Sequence, residues 1–478
     1  MLLAALRSAS PLPAVLSRGA EPPGPPRPGA AACRRWLVQR LGGLGLLVSL
    51  PPLAGGILSG MNDFAKLLAG QLGADLRTLP QRVRTRLSAE GQAARAGTIG
   101  QLREAARRRV PAVVFDYVDG AAGDEVTAAR NLAELRAVEL RPRVMVDVSK
   151  VVTATSVLGS PIALPLLGAP MGLTGLMHPS GEVALARALH AAGSIYVLAA
   201  MASCPLEEVA GASGGPLWFQ MYFWRDRGLV QELLRRARGA GISVLVLTVD
   251  VPRAGYRDRD RRNGFTMPPR VTLRALAGGA VHPRWSAGFL REPRLRWGNL
   301  PDDGVAAAAF SAQTNRQFDP AATWDDVTWF RERWDGQLVV KGILRPEDAR
   351  QAARLGAEAI IVSNHGGRQL DGAPAAIRAL PAVAQAIAGE AEVYFDSGIR
   401  RGVDIVRAIA LGARACLAGR ALAYGLGAAG EAGANRAVEI LRDELRTALA
   451  LTGCPSVQAL GPSWVQGSDA RPPHPPAA

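Results

Sequence analysis

Short apolar, β-rich runs alternate with helical stretches from about residue 160 to residue 420, and this alternation restricts the fold more than any other feature of the chain. The runs are IALPLLGAP (162–170), SIYVLAA (194–200), PLWFQMYF (216–223), SVLVLTVD (243–250), QLVVKGI (337–343), AIIVSNH (359–365), AEVYFDSG (391–398) and ACLAGR (415–420). Eight such runs with helical segments between them predict an α/β fold, a (β/α)8 TIM barrel. Right-handed crossovers then fix its topology. SGEVALARALHAAG, PLEEVAGA, DRGLVQELLRRARGAG, PEDARQAARLG and GVDIVRAIALG supply helices, several opened by the Ser, Pro or Asp that suits a first turn. One connection departs from the pattern. Between Val251 and Trp334 only the end, WDDVTWFRERW, reads as the expected helix. An irregular connection of that length is expected to be functional.

Composition sets outer limits. With 478 residues, 48% apolar and 20% charged, the chain can bury a barrel-sized core, which excludes disorder throughout. Residues 1–96 hold 12 Lys+Arg against 4 Asp+Glu, so about half of the formal charge of +15 belongs to this N-terminal extension. With no zinc spacing or helix-turn-helix pattern, nucleic acid is not an expected partner. The uncharged stretch Leu41 to Met61, interrupted by Pro51 and Pro52, reads either as a targeting or membrane-inserting segment or as sequence ahead of a true start at Met61. The barrel domain is expected over 97–460, with 253–318 as an insert on the active-site side and a Pro-rich tail over 461–478. Cys33, Cys204, Cys416 and Cys454 lack metal or disulfide-framework spacing, so no metal site is expected and a reducing compartment is.

In a barrel of this kind, chemistry belongs at the C-terminal ends of the strands. Those ends carry Gln220 and Tyr222, Thr248 and Asp250, Lys341, His365 with Arg368, Asp396 to Arg400, and Gly419 with Arg420. DSGIRRG and LAGRA place glycines, backbone N–H groups and arginines at the last two strand ends, where a phosphate can be cradled; tight turns alone would also use those glycines. Lys341 ends a buried strand and must be paired or functional, and beside an electron-rich ring its charge would favour an anionic reduced cofactor.

SNHGGRQLDG, LTVD, WFQMY, VKGI, DSGIRRG and LAGRA, in this arrangement, resemble the FMN-dependent α-hydroxy acid dehydrogenase and oxidase family from about Thr98 to Cys454. Within it the chain is most similar to bacterial membrane-associated L-lactate dehydrogenases, through CPLEEVA, WFQMYFWRDRG and WDGQLVVKGILRPEDA, and next to (S)-mandelate dehydrogenases, through GYRDRD and VHPRWS. The resemblance implies FMN as cofactor and a small L-2-hydroxy acid, L-lactate foremost, as substrate. It implies His365 as catalytic base, oriented by Asp250, with Arg257 and Arg368 clamping the substrate carboxylate and Tyr117 and Tyr222 contacting substrate. For the flavin it implies Ala169, Pro170, Met171, Gly172, Ala199, Gln220, Thr248, Lys341, Ser363, Asp396, Ser397, Gly398, Arg400, Gly419 and Arg420.

The sequence departs from the family pattern at Ala199-Ala200-Met201, where relatives usually offer a serine or threonine near the flavin. The resemblance further implies electron transfer to a quinone or cytochrome, peripheral contact with the cytoplasmic face of the inner membrane or a cytoplasmic location, and a homo-oligomer, a tetramer. An oxygen-using oxidase and a non-catalytic flavin-binding barrel are the competing readings. The insert interleaves arginines with Phe265, Leu273, Leu276, Trp285, Phe289, Leu290 and Trp297, which suits an anionic lipid surface and equally a lid over the substrate; the resemblance favours the lipid surface.

Overall fold

The computed structural model describes residues 88–265, 278–292, 294, 297–300 and 317–466. The Leu41–Met61 segment, Leu273 and Leu276 lie outside the described residues. Ten strands are present among the described residues: β1 (Thr155–Val157), β2 (Ser160–Ile162), β3 (Leu166–Gly168), β4 (Tyr196–Ala199), β5 (Leu217–Tyr222), β6 (Val244–Thr248), β7 (Gln337–Ile343), β8 (Ala359–Val362), β9 (Glu392–Phe395) and β10 (Ala415–Ala418). The last eight are parallel neighbours and close on themselves in the order β10-β3-β4-β5-β6-β7-β8-β9. Every expected run contributes one barrel strand, so the fold is the (β/α)8 barrel.

The runs are continuously apolar because both faces of each strand are covered. Leu167, Val197, Trp218, Val246, Val339, Ile361, Tyr394 and Leu417 fill the barrel interior. Their neighbours Leu166, Leu198, Phe219, Leu245, Val340, Ile360, Phe395 and Cys416 belong to the larger core shared with the helices. The first run is split. Its opening residue, Ile162, pairs with Thr155 in the β1–β2 hairpin, and only Leu166–Gly168 enters the barrel. Val157 and Ile162 of that hairpin join the interior cluster. Gln337 donates its side-chain N–H to the Leu158 carbonyl (3.3 Å) and Glu392 accepts from the Leu158 N–H (3.2 Å), fixing the hairpin across the N-terminal ends of the strands. The C-terminal ends are left as the open face.

Among the described residues, four helices precede the barrel strands: α1 (Ala89–Ala94), α2 (Ile99–Arg107), α3 (Ala112–Asp119) and α4 (Val126–Ala137). Then come α5 (Gly181–Ala191), α6 (Leu206–Ser213), α7 (Arg227–Gly239), α8 (Asp258–Arg262), α9 (Pro283–Arg291), α10 (Trp324–Arg333), α11 (Pro346–Arg354), α12 (Ala376–Ala386), α13 (Gly402–Ala410) and α14 (Arg420–Thr452). In α10 the TWDD sequence forms a capping box between Thr323 and Asp326, which is why the helix starts there after the long insert. α14 breaks at Ala429 and Gly430, and its halves approach so closely at Gly425 and Gly433 that a Cβ on either would fall within 2.3 Å of the other's carbonyl oxygen. The packed body runs beyond the expected boundary at residue 460: Trp464 and Val465 are buried, and Arg141 donates its backbone N–H to the Trp464 carbonyl at 2.8 Å.

Candidate active site

A cavity of about 1110 Å³ opens at the C-terminal ends of the barrel strands. Among its lining residues are Tyr117, Ala169, Pro170, Met171, Gly172, Tyr222, Arg257, Lys341, His365, Arg368, Asp396, Ser397, Gly398, Arg400, Gly419 and Arg420. The remaining expected residues stand behind this wall. Asp250 and Ser363 hold lining side chains, Gln220 and Thr248 bond each other at 2.9 Å, and Ala199 offers its backbone carbonyl to the buried Asn299.

His365 has a positive φ of 58°, and the turn that imposes it is pinned from several sides. The Ser363 hydroxyl accepts from the His365 backbone N–H (3.0 Å), and the Asn364 carboxamide accepts from Gly367 (3.1 Å) and pairs with Asn131 (2.8 Å). A Cβ at Gly367 would lie 2.6 Å from the Ala128 nitrogen, so the glycine is required for this turn to sit against α4. The imidazole Nδ1 is 3.0 Å from Asp250 Oδ1. With the carboxylate as acceptor, Nδ1 carries the proton and Nε2 is left as the basic nitrogen. Burial pushes His365 below the ordinary histidine range; Asp250 opposes the shift, while Lys341 and Arg257 add to it. The imidazole is therefore neutral at neutral pH.

The VKGI sequence explains how Asp250 finds its place. The β7–β8 register shifts between Lys341 and Ile343, and Gly342 there has φ 110°, with room for a Cβ denied by Asp250 at 2.8 Å. Lys341 Nζ meets Asp396 at 3.1 Å and the Ser363 hydroxyl at 3.1 Å, and Ser363 donates to Asp396 at 2.6 Å. Burial alone would raise the Asp396 carboxyl, but Lys341 and Ser363 outweigh it and hold the group below its usual range. The buried lysine is thus paired and still faces the cavity.

Two further guanidiniums reach the same cavity from different loops. Arg257 Nε is 3.4 Å from the Arg368 carbonyl, and Arg368 donates to the Gly120 carbonyl at 2.7 Å. Burial, then Arg257, then Arg420, push Arg368 down to about 9, which leaves it charged at neutral pH but calls for an anion. The Arg368 guanidinium stands 5.3 Å from the centre of the Tyr117 ring, which stacks on Phe265 at 4.6 Å. Burial raises both Tyr117 and Tyr222, so both phenols remain hydrogen-bond donors.

Sequence reasoning had Phe265 and Trp297 facing lipid. Phe265 instead covers Tyr117, and Trp297 is buried in the core. Trp285 donates to the Leu176 carbonyl at 2.8 Å and stacks on Phe289, leaving Leu290 exposed. Arg420, expected at a phosphate, donates to the Val118, Gly120 and Gly366 carbonyls. Phe318, Met201 and Asp260 line the cavity without having been assigned there. Phe318 follows a stretch outside the described residues and gave no periodic signal.

Residues 106–467 match the family model described as FMN-dependent dehydrogenase. The chain belongs to the FMN-dependent dehydrogenase family. It is 44% identical over 374 residues to an L-lactate dehydrogenase of Chromohalobacter salexigens, covering 77% of this chain and 95% of that protein. An L-lactate dehydrogenase of Pseudomonas aeruginosa is 45% identical over 363 residues, 74% of this chain and 94% of the relative. Among solved structures it resembles a monotopic membrane protein, (S)-mandelate dehydrogenase, with TM-score 0.75, 38% identity and coverage of 78% of this chain and 99% of that one. A mandelate oxidase gives TM-score 0.66 and 38% identity over 78% of this chain and 98% of its own.

The cavity fits the family's FMN. Gln220 keeps a buried Oε1 with no hydrogen-bond partner, the kind of acceptor a ring N–H would satisfy. A Cβ at Gly419 would crowd Met171 and Ala169 at 3.3 and 3.5 Å, so the glycine keeps free a part of the cavity that Arg400 and Arg420 also line.

Proposed function

We propose that this dehydrogenase oxidises an L-2-hydroxy acid, L-lactate foremost, to the 2-keto acid. The observation that carries the reading is the His365–Asp250 pair, 3.0 Å apart, opening on the same cavity as Arg257 and Arg368. Arg257 and Arg368 bind the substrate carboxylate, for which guanidinium forks are suited. His365 Nε2 removes one proton from the substrate, and Asp250 stabilises the imidazolium that results. Bound FMN supplies the acceptor for the two electrons and for the second hydrogen. Tyr117 and Tyr222, both protonated, donate toward the substrate oxygens. Lys341, Gln220 and Thr248 would hold the ring, Ala169 to Gly172 its near face, and Asp396, Ser397, Gly398, Arg400, Gly419 and Arg420 the ribityl and phosphate end.

Phe265, Phe318 and Met201 at the cavity give a specific reason to keep (S)-mandelate as the second substrate, since aromatic walls favour a phenyl group. Anaerobic stopped-flow reduction with L-lactate, L-mandelate and glycolate separates these readings. L-Lactate should bleach the flavin fastest. Bleaching by none of the three would overturn the whole assignment.

Electrons are passed on to a quinone or cytochrome at the cytoplasmic face of the inner membrane. Val281 and Leu290, 73% and 79% exposed beside the exposed Arg284 and Arg291 of α9, support peripheral contact with an anionic bilayer. The adjacent exposed residues Val144, Met145 and Val146 support a homo-oligomer, a tetramer.

A further inference from the structure

The loop that joins Asp250 to Arg257 has little to hold it. After the Val249 N–H donates to Lys341, no backbone–backbone hydrogen bond among the described residues involves positions 250–255, and the next tie is Gly123 N–H to the Tyr256 carbonyl at 2.8 Å. Yet this loop carries the partner of His365 at one end and a cavity guanidinium at the other. One side chain spans it. The Gln369 Oε1 accepts from the Gly255 N–H at 3.1 Å, and its Nε2 donates to the Arg253 carbonyl at 3.0 Å and the Asp250 carbonyl at 3.3 Å. The approach is close: a Cβ at Gly255 would lie 2.2 Å from the Arg368 carbonyl oxygen and 2.8 Å from the Gln369 Cα.

We propose that Gln369 is a positioning residue, a staple that sets the distance between the loop bearing His365 and Arg368 and the loop bearing Asp250 and Arg257. It lines the cavity, but in this role it acts through the Asp250–Arg257 loop that it bonds. The proposal rests on the reading of Arg257 and Arg368 as the carboxylate clamp. Only a carboxamide serves, because the three bonds need one acceptor and two donors on the same planar group. A glutamate keeps the bond from Gly255 and sets a negative charge against two carbonyls. A methionine, similar in length, keeps none.

The test uses flavin-loaded enzyme, with oxalate as a carboxylate probe read from the flavin absorbance, and single-turnover reduction by L-lactate. In Gln369→Met the flavin content should stay at the wild-type level while the oxalate Kd rises roughly tenfold or more and reduction slows, as expected when two halves of a site drift apart. Gln369→Glu should be similarly weak at neutral pH. Relative to Gln369→Met it should recover as the pH falls, because a protonated carboxyl regains one donor. An oxalate Kd within about twofold of wild type in Gln369→Met overturns the staple, additivity errors being of that size. If Gln369→Met fails to hold flavin, Gln369→Glu decides by the same measure. Failure of the clamp reading looks different: Arg257→Met would then leave oxalate affinity intact, whereas failure of the staple alone leaves it weakened.

Discussion

Lys341 serves two buried partners, Asp396 and Ser363, while its ammonium faces the cavity. Lys341→Met removes a positive charge beside the flavin site and should lower the flavin midpoint potential by tens of millivolts, roughly the scale of one nearby charge at an effective dielectric near 20. Redox titration against dyes checks it; an unshifted potential would make Lys341 purely structural. As the proposed base, His365 should set the acid side of activity. The base must be neutral, and burial holds it below the ordinary value of 6.5, so kcat/KM should rise with pH through a midpoint under 6.5. Asp250 is the chief influence raising that midpoint. Asp250→Asn should therefore move it lower still, while cutting the rate by about two to four orders of magnitude. A pH profile whose midpoint rises on this substitution would contradict the pairing.

Among the elements, the insert after β6 divides its labour. Its first part, through Phe265, closes the cavity against Tyr117; its later part, Trp297 and Asn299, is built into the barrel wall, where the Asn299 carboxamide bonds the Leu206 N–H and the Ala200 carbonyl at 2.7 and 3.1 Å. Removing the insert would therefore damage the site it adjoins. Between these parts, Val281 just ahead of α9 and Leu290 within it are presented to solvent. The double substitution Val281→Asp, Leu290→Asp touches neither the cavity nor the wall, so it should leave reduction by L-lactate and by a small dye unchanged. It should weaken flotation with anionic vesicles by roughly tenfold or more, from lost apolar burial and added repulsion. Equal flotation of variant and parent would place any membrane contact elsewhere.

Across the barrel's helical shell, α2, α3, α8 and α14 are tied together at Asp119, at the end of α3. Its carboxylate meets Arg103 of α2 at 2.6 Å, Tyr424 of α14 at 2.7 Å and Arg259 of α8 at 3.0 Å. Burial raises Asp119, but Arg103, Tyr424 and Arg259 together hold it well below the carboxylate range. A carboxyl depressed on folding contributes stability that is present above its unfolded value, here 3.8, and is lost as pH falls through the folded value. Asp119→Ala should cost roughly 3 kcal/mol at neutral pH by stripping a buried anion from its partners. It should also flatten the acid limb of the denaturation midpoint against pH. An unchanged midpoint and acid limb would show that the cluster adds nothing.

The barrel was legible because its evidence is local. A strand buried on both faces must be apolar throughout, so β4 to β10 announced themselves in order, and β5 to β10 each lead into polar residues that the closed sheet gathers into one mouth. The residues of SNHGGR, LTVD and VKGI were likewise visible as types. What those letters could not set was distance. The 3.0 Å between His365 and Asp250 depends on a register shift at Gly342, and the meeting of Arg257 with the Arg368 loop depends on contacts between residues more than a hundred positions apart. Arg420 shows the limit: its sequence context suits a phosphate, and only the structure shows that its Nε and Nη2 also donate to three backbone carbonyls brought near by α3 and the β8 loop while the residue lines the cavity. Phe265 and Trp297 read as lipid-facing for the same reason. An aromatic side chain is apolar in either surrounding, and only the packing of the chain against itself decides which surface it covers.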